Sequence, residues 1–339
     1  MNVNELNSVA NGMLGNGKGI LAADESSPTI KKRFDSIDAE STEENRRRYR
    51  EMLFTTAGVA DYIGGVILFD ETIRQNTTDG VLFPQYLSDR GMIPGIKVDK
   101  GAKALAGFPG ETVTEGLDGL RECLEEYADL GAKFAKWRAV IHIGDGIPSD
   151  YCISANAHAL ARYAALCQEA GIVPIVEPEV LMDGDHSIER CEEVTVATLD
   201  VVFAEQKAHR VALEGIVLKP NMVISGTAAA NRAGPQEVAE ATLRCLKATV
   251  PAEVPGIAFL SGGQTAEEAT EHLGLMNQMG ELPWELSFSY GRALQAPALD
   301  AWRGDEANFA AGQEALFKRA RLNSLARLGK YAVAMESAA

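Results

Sequence analysis

The chain has 339 residues, of which 46% are hydrophobic and 24% are charged. Its formal charge of −16 repels phosphate backbones, so the composition argues against nucleic acid and anionic membranes as partners. A chain of this length needs no disulfide or metal to stabilise its core, and no apolar run approaches the roughly 18 residues of a membrane span.

The first residues, Met-Asn-Val-Asn-Glu-Leu, lack the basic region of a secretory signal and the arginines of a transit peptide. The five cysteines are an odd set without a Cys-x-x-Cys pair, which favours free thiols in a reducing compartment. The histidines are scattered, without the spacing of a zinc site. We therefore expect a cytoplasmic protein without a metal.

Eight short segments are rich in β-branched or aliphatic residues and bounded by Gly or Pro, which predicts strands. They are residues 19–24, 64–69, 93–99, 134–141, 173–180, 212–219, 256–261 and 284–290. Helical patterns lie between most of them, at residues 41–56, 117–130, 153–170, 236–249, 265–279 and 305–328. This alternation predicts an α/β fold, a single (β/α)8 TIM barrel over residues 1–339, with a short loose tail from about residue 331. An open doubly wound sheet is the alternative.

Charged and polar side chains stand where the predicted strands end, which is where barrel enzymes carry their chemistry. They are Asp24, Lys97, Lys136, Arg138, Glu177, Glu179, Lys219, Ser261 and Arg292. Ionisable groups inside apolar strands are costly unless they are paired. The period of two places Lys136 and Arg138 on one face, and Glu177 and Glu179 on another. Such a set indicates either a catalytic site or interlocked ion pairs that close the barrel.

Lys219 ends the apolar run Gly-Ile-Val-Leu and precedes Pro220. Burial and a nearby cation such as Lys136 both disfavour an ammonium group, which would free the amine to attack a carbonyl. Glu177 has the position and the acid group to move protons during that reaction. These residues predict imine catalysis, with structural ion pairs as the open alternative.

Two groups of residues have the character of phosphate sites. Ser261-Gly262-Gly263 and Gly291-Arg292 follow strands seven and eight, where barrels frequently bind a phosphate. At the opposite side of the mouth we expect a second group, made of Ser26, Ser27, Thr29, Arg33 and Lys97. Two anion sites that flank one lysine would fit a bisphosphorylated sugar.

With these residues in order, the chain resembles class I (Schiff-base) fructose-1,6-bisphosphate aldolase. The likeness runs from about residue 17 to 331. The stretches that carry it include Ala-Asp24-Glu-Ser, Gly-Ile-Lys97-Val-Asp-Lys-Gly, Phe-Ala-Lys136-Trp-Arg138, Val-Glu177-Pro-Glu179, Leu-Lys219-Pro-Asn-Met, Phe-Leu-Ser261-Gly-Gly-Gln and Tyr-Gly-Arg292-Ala-Leu-Gln.

The resemblance implies reversible cleavage of fructose 1,6-bisphosphate, in glycolysis or gluconeogenesis, by a homotetramer that needs no metal or other cofactor. Lys219 would form the imine, Glu177 would move protons, Asp24 would deprotonate the C4 hydroxyl, and Lys136 would supply the positive field. The implied C1-phosphate site is Ser261, Gly262, Gly291 and Arg292, and the implied C6-phosphate site is Ser26, Thr29, Arg33 and Lys97. Arg138 and Glu179 would hold the charged network in place.

The sequence departs from the family pattern in two places. The serine loop, residues 24–29, usually reads Asp-Glu-Ser-Thr-Gly-Ser in this family, and here Ser27-Pro28-Thr29 fills its last three places, from which we expect only a change in phosphate affinity. The last tyrosine is Tyr331, whereas many members end in a tyrosine-bearing tail, so we expect a smaller preference for the bisphosphate over fructose 1-phosphate. Other imine-forming barrels, such as transaldolase-like enzymes, act on substrates with one phosphate. A non-catalytic phosphosugar sensor would be expected to have lost Lys219 or Glu177.

Overall fold

The computed structural model describes residues 2–337, and it confirms the predicted barrel. Eight parallel strands close in the spatial order β1-β2-β3-β6-β7-β8-β9-β10, while β4 and β5 form a short antiparallel hairpin. The strands are β1 (Gly19–Ala22), β2 (Ile63–Leu68), β3 (Ile93–Lys97), β4 (Ala102–Ala104), β5 (Thr112–Thr114), β6 (Phe134–Ile141), β7 (Val173–Val180), β8 (Val217–Leu218), β9 (Gly256–Phe259) and β10 (Glu285–Tyr290).

Helices surround the barrel and cover the outer faces of its strands. They are α1 (Val3–Leu14), α2 (Ser27–Asp35), α3 (Glu43–Phe54), α4 (Asp70–Ile73), α5 (Phe83–Ser88), α6 (Leu120–Asp129), α7 (Asp150–Glu169), α8 (Ile188–Ala208), α9 (Pro235–Thr249), α10 (Ala266–Gln278), α11 (Arg292–Trp302) and α12 (Phe309–Arg327). Every residue of β2 and of β7 is buried, as expected for strands that are covered on both faces. No helix within residues 2–337 is long and apolar enough to cross a membrane.

The prediction of a sixth strand at residues 212–219 is wrong over its first half. Residues Leu213–Gly215 form a 3-10 helix, and only Val217–Leu218 pair with neighbouring strands. The side chain of Gln168 explains the difference, because it donates to the backbone oxygen of Ala212 and accepts from its N–H. This amide therefore makes the backbone hydrogen bonds that a neighbouring strand would otherwise supply.

Helix α1 closes the end of the barrel where the strands begin. Its buried side chains, among them Leu6 and Met13, share one apolar cluster with barrel residues such as Phe134 and Ile175. Gly64 permits this close approach, since a Cβ there would lie 2.3 Å from the backbone oxygen of Met13. The helix thus fills the barrel floor and leaves the functional groups at the opposite end.

The C-terminal segment is docked onto the helices, not loose as expected. Tyr331 is 7% exposed, and its hydroxyl donates to Glu336 at 2.9 Å. Arg319 of α12 donates to both carboxylate oxygens of Glu336, at 2.6 and 2.7 Å. This ion pair holds the 3-10 turn Val333–Glu336 in place. Residues 338 and 339 of the predicted tail lie outside the described residues.

Candidate active site

The register of the barrel strands brings the predicted charges to one level. Lys97 of β3 is the cross-strand partner of Lys136 of β6, and Arg138 is the partner of Glu177 of β7. The N–H of Lys219, just past β8, donates to the oxygen of Val176 at 2.8 Å. Three consecutive pairings therefore align these side chains at the carboxyl ends of the strands.

A cavity of about 1020 Å³ opens at this end of the barrel. The fourteen residues to which the resemblance gives a role all contribute to its lining: Asp24, Ser26, Thr29, Arg33, Lys97, Lys136, Arg138, Glu177, Glu179, Lys219, Ser261, Gly262, Gly291 and Arg292. Ser27, which was also predicted for the second phosphate group, is exposed and does not line the cavity. The lining carries eight basic and six acidic side chains, so its formal charge is +2, in a chain of charge −16. A positively charged cavity in a negatively charged protein favours an anionic ligand.

Four ionisable side chains form the centre of the cavity. The amine nitrogen of Lys219 lies 3.1 Å from Glu177 Oε1. The amine nitrogen of Lys136 lies 2.7 Å from Asp24 Oδ2 and 3.5 Å from Glu177 Oε2. Asp24 is the most exposed of the four side chains, at 13%, so water screens this group poorly. Glu177 is thus placed to exchange protons with Lys219 while it contacts a second cation.

Opposing effects set the charge states in this cluster. Burial alone would raise the pKa of Asp24, but the positive charges of Lys136 and Lys219 hold that pKa well below its usual range. Burial alone would lower the pKa of Lys136, yet Asp24, Glu177 and Asp99 raise it above its usual range. Lys136 therefore remains an ammonium group, and Asp24 remains a carboxylate that can accept a proton.

The loop after β9 and the start of α11 form one side of the mouth. Gly262 and Gly263 have φ angles of +51° and +74°, a region that favours glycine. A Cβ at Gly263 would also lie 2.7 Å from the end of the Met182 side chain, so a larger residue would have to displace that side chain. Gly291 caps α11, whose first residue is Arg292. A helix start next to a charged guanidinium is a favourable place for an anion.

The serine loop before α2 lies next to this side of the mouth, and the expectation that it lies opposite is wrong. β1 pairs with β10, so the loops that follow these strands are neighbours. A Cβ at Gly291 would lie only 3.6 Å from Nη2 of Arg33. Ser26 Oγ lies 3.1 Å from Thr29 Oγ1 at the start of α2. Arg33, predicted for the second anion group, therefore lies beside Gly291 of the first group.

Several of the cations at the mouth are already paired with carboxylates. Arg33 donates to Glu25 at 2.5 Å, and Arg138 pairs with Glu179. Burial alone would lower the pKa of Arg138, but the charge and hydrogen bond of Glu179, together with the charges of Glu177 and Asp99, raise it above its usual range. These carboxylates orient the guanidinium groups without neutralising the positive lining.

Comparison with known proteins identifies the family. The model of the class-I fructose-bisphosphate aldolase family matches residues 5–339. The chain belongs to the class-I fructose-bisphosphate aldolase family.

Relatives of this aldolase-family chain cover nearly its whole length. A protein of Xanthomonas campestris, described as a probable fructose-bisphosphate aldolase class 1, is 61% identical over 98% of this chain and 99% of its own. The cytosolic fructose-bisphosphate aldolase 4 of Arabidopsis thaliana is 54% identical over 93% of this chain and 80% of its own. The solved structure of fructose-bisphosphate aldolase from Plasmodium falciparum, in complex with TRAP and an inhibitor, has a TM-score of 0.96 at 49% identity, covering 97% and 96% of the two chains.

Two further acidic residues support this aldolase site, and the sequence analysis did not select them. Asp99 is 7% exposed and accepts from Lys97 and from the N–H groups of Gly101 and Arg138. Glu25 is 6% exposed and accepts from Arg33. Asp99 follows Lys97 by two residues in the predicted strand, so the alternation of side chains along a strand predicts that both lie on the same face.

Proposed function

We propose that the protein reversibly cleaves fructose 1,6-bisphosphate to dihydroxyacetone phosphate and glyceraldehyde 3-phosphate, through an imine on Lys219. The contact of 3.1 Å between the Lys219 amine and Glu177, inside a buried and positively lined cavity, carries the proposal. Membership of the class-I aldolase family supports it.

In the first step Glu177 accepts a proton from Lys219, 3.1 Å away, and the free amine attacks the C2 ketone of the open-chain sugar. Glu177 then donates a proton to the C2 hydroxyl of the carbinolamine, which leaves as water. The product is a protonated imine. Lys136, held as an ammonium 3.5 Å from Glu177 Oε2, keeps a positive charge beside the reacting groups.

In the second step the carboxylate of Asp24 accepts the proton of the C4 hydroxyl. The C4 oxygen becomes the aldehyde of glyceraldehyde 3-phosphate, and the C3–C4 electron pair moves into the protonated imine to give an enamine. Protonation of the enamine at C3 and hydrolysis of the imine then release dihydroxyacetone phosphate and restore Lys219. Because the protonated imine accepts the electron pair, the cleavage requires no metal.

The phosphates hold the sugar chain across Lys219. We infer that Ser261, Gly262, Gly291 and Arg292 bind the C1 phosphate, and that Ser26, Thr29 and Lys97 bind the C6 phosphate. Arg33 stands next to Gly291, within reach of both groups. Arg138 and Glu179 keep the charged wall of the cavity in place.

We also propose that residues 1–339 form one domain that assembles as a homotetramer in the cytoplasm. The family resemblance supports the assembly, and the cytosolic relatives support the compartment. Light scattering of the purified protein tests the assembly directly, since a monomer or a dimer would contradict it.

The imine is tested by trapping it on the protein. We expect incubation with dihydroxyacetone phosphate, reduction with borohydride and peptide mass spectrometry to find one adduct, on Lys219. Lys219→Met should abolish the adduct, while Lys133→Met, at an exposed lysine, should leave it unchanged. An adduct on another lysine, or none on the parent protein, would overturn the proposal. Cleavage activity should persist in EDTA.

A further inference from the structure

Outside the barrel mouth, three side chains with metal-binding atoms meet where α7 packs against α8. His158 lies on α7, while Glu205 and His209 lie one turn apart at the end of α8. We call these three residues the α7–α8 cluster. One donor atom from each of them lies within 4.8 Å of the other two, and the cluster does not line the cavity that holds Lys219.

The spacing within the cluster is close to that of zinc ligands. Zinc binds nitrogen and oxygen at about 2.0–2.2 Å, so two ligands of a tetrahedral ion lie about 3.3 Å apart. His158 Nδ1 and Glu205 Oε2 are 3.1 Å apart. The Nδ1 atom of His209 lies 3.5 Å from the same carboxylate oxygen, so all three side chains meet at Glu205.

The surroundings of His209 prepare its ring for a cation. Its Nδ1 lies 3.0 Å from the backbone oxygen of Glu205, and a hydrogen bond donated there leaves the lone pair of Nε2 free for a metal. His209 also caps the C-terminal end of α8, where the helix dipole favours positive charge. Carbonyl-bonded imidazoles of this kind are common among zinc ligands.

Solvent has access to the remaining coordination position. The side chain of His158 is 53% exposed, and those of Glu205 and His209 are 27% and 23% exposed. These exposures leave the cluster open to a water ligand. Two imidazoles and one carboxylate favour zinc over magnesium or calcium, which prefer oxygen ligands.

We propose that the α7–α8 cluster is a zinc(II) site that fastens α7 to α8 on the outside of the barrel. His158, Glu205 and His209 supply three ligands, and water supplies the fourth. The site is independent of the imine chemistry at Lys219, because its residues contact neither the substrate cavity nor the catalytic cluster.

Calorimetry with zinc chloride tests the site. The exposed thiol of Cys123 would also bind zinc, so Cys123→Ser is the parent protein. After removal of metals with EDTA, we expect this parent to bind one equivalent of zinc per chain. His158→Ala and His209→Ala should each weaken binding at least tenfold, whereas His142→Ala, at a histidine outside the cluster, should not. Equal affinity of the His158→Ala variant and the parent would overturn the proposal.

Two further measurements separate the site from adventitious binding and from misfolding. Saturating zinc should raise the Tm of the parent by a few degrees and leave that of the His158→Ala variant unchanged, and the metal-free proteins should melt alike. Cobalt(II) should give the visible spectrum of a tetrahedral nitrogen and oxygen site. A thiolate charge-transfer band, or an equal Tm rise in the variant, would contradict the assignment.

Discussion

Asp99 holds the ammonium group of Lys97 at two points. The carboxylate of Asp99 accepts from Lys97 Nζ at 2.7 Å, and its backbone oxygen accepts at 2.6 Å. Lys97 therefore has one fixed position at the cavity wall before any substrate arrives, which lowers the entropic cost of phosphate binding.

Asp99→Asn tests this role of Asp99 as a positioning residue. We expect the KM for fructose 1,6-bisphosphate to rise about tenfold, or about 1.4 kcal/mol, with a smaller change in kcat, because Lys97 loses its charged anchor. Steady-state kinetics measures both constants. Asp89→Asn, at an exposed aspartate, is the matched control. An unchanged KM, or a loss confined to kcat, would contradict the role.

Asp24→Asn should separate carbon–carbon cleavage from imine formation. We expect kcat for the cleavage of fructose 1,6-bisphosphate to fall by about 10²–10⁴-fold, since the base for the C4 hydroxyl is lost. The borohydride-trapped adduct with dihydroxyacetone phosphate should still form on Lys219, because its formation does not involve the C4 hydroxyl. Loss of both activities in a folded variant would show that Asp24 acts earlier.

Glu177→Gln should slow imine formation itself. The amide cannot transfer the protons that carbinolamine dehydration requires, so we expect the trapping rate to fall by about 10²–10⁴-fold. Rapid-quench trapping with borohydride measures this step apart from cleavage. Glu192→Gln, outside the cavity, is a suitable control. A trapping rate equal to that of the parent protein would assign the proton transfer to another residue.

His272 should make stability depend on pH. The residue is 6% exposed, and burial lowers its pKa to about 4, from an ordinary 6.5. Between these values the unfolded chain binds a proton that the folded chain does not, so the free energy of unfolding falls as pH falls from about 6.5 to 4. The full loss is about 3 kcal/mol.

Urea unfolding at pH 7 and pH 5 measures this effect, and His272→Gln should remove its share of the difference. His272 bonds to the side chain of Gln264, which in turn donates to the Ser261 oxygen at 2.7 Å. Acid should therefore also loosen the phosphate loop. An identical pH dependence in the variant would exclude His272 as the source.

The charged residues at the strand ends could be predicted from the sequence, because a charged residue is easy to recognise within an apolar strand. Lys136, Glu177 and Lys219 each interrupt a run of aliphatic or aromatic residues, and the structure brings them together. Arg50 gave no such signal, since it follows three arginines on a helix that has the pattern of a solvated surface. It is nevertheless fully buried and donates to the backbone oxygen of Glu25 at 2.9 Å.

Helices α1 and α8 could not be predicted from local pattern. Helix α1 contains Asn4, Asn7 and Asn11, and α8 contains several β-branched residues. Both kinds of residue have low helix propensity. In both cases burial stabilises the helix, as with Leu6 of α1 and Leu199 of α8. The loops after the first and last strands are neighbours only because the barrel closes. Local pattern therefore could not predict that Arg33 lies beside Gly291.

The packing of α1 against the barrel strands has a consequence for folding during synthesis. Helix α1 precedes every barrel strand in the chain, and the apolar surface that covers its buried face comes from strands spread between residues 20 and 258. β1 likewise waits for β10 before both of its edges are paired. Helix α1 is thus synthesised well before the residues that bury it, and its apolar face has no complete partner surface until β9 has been made.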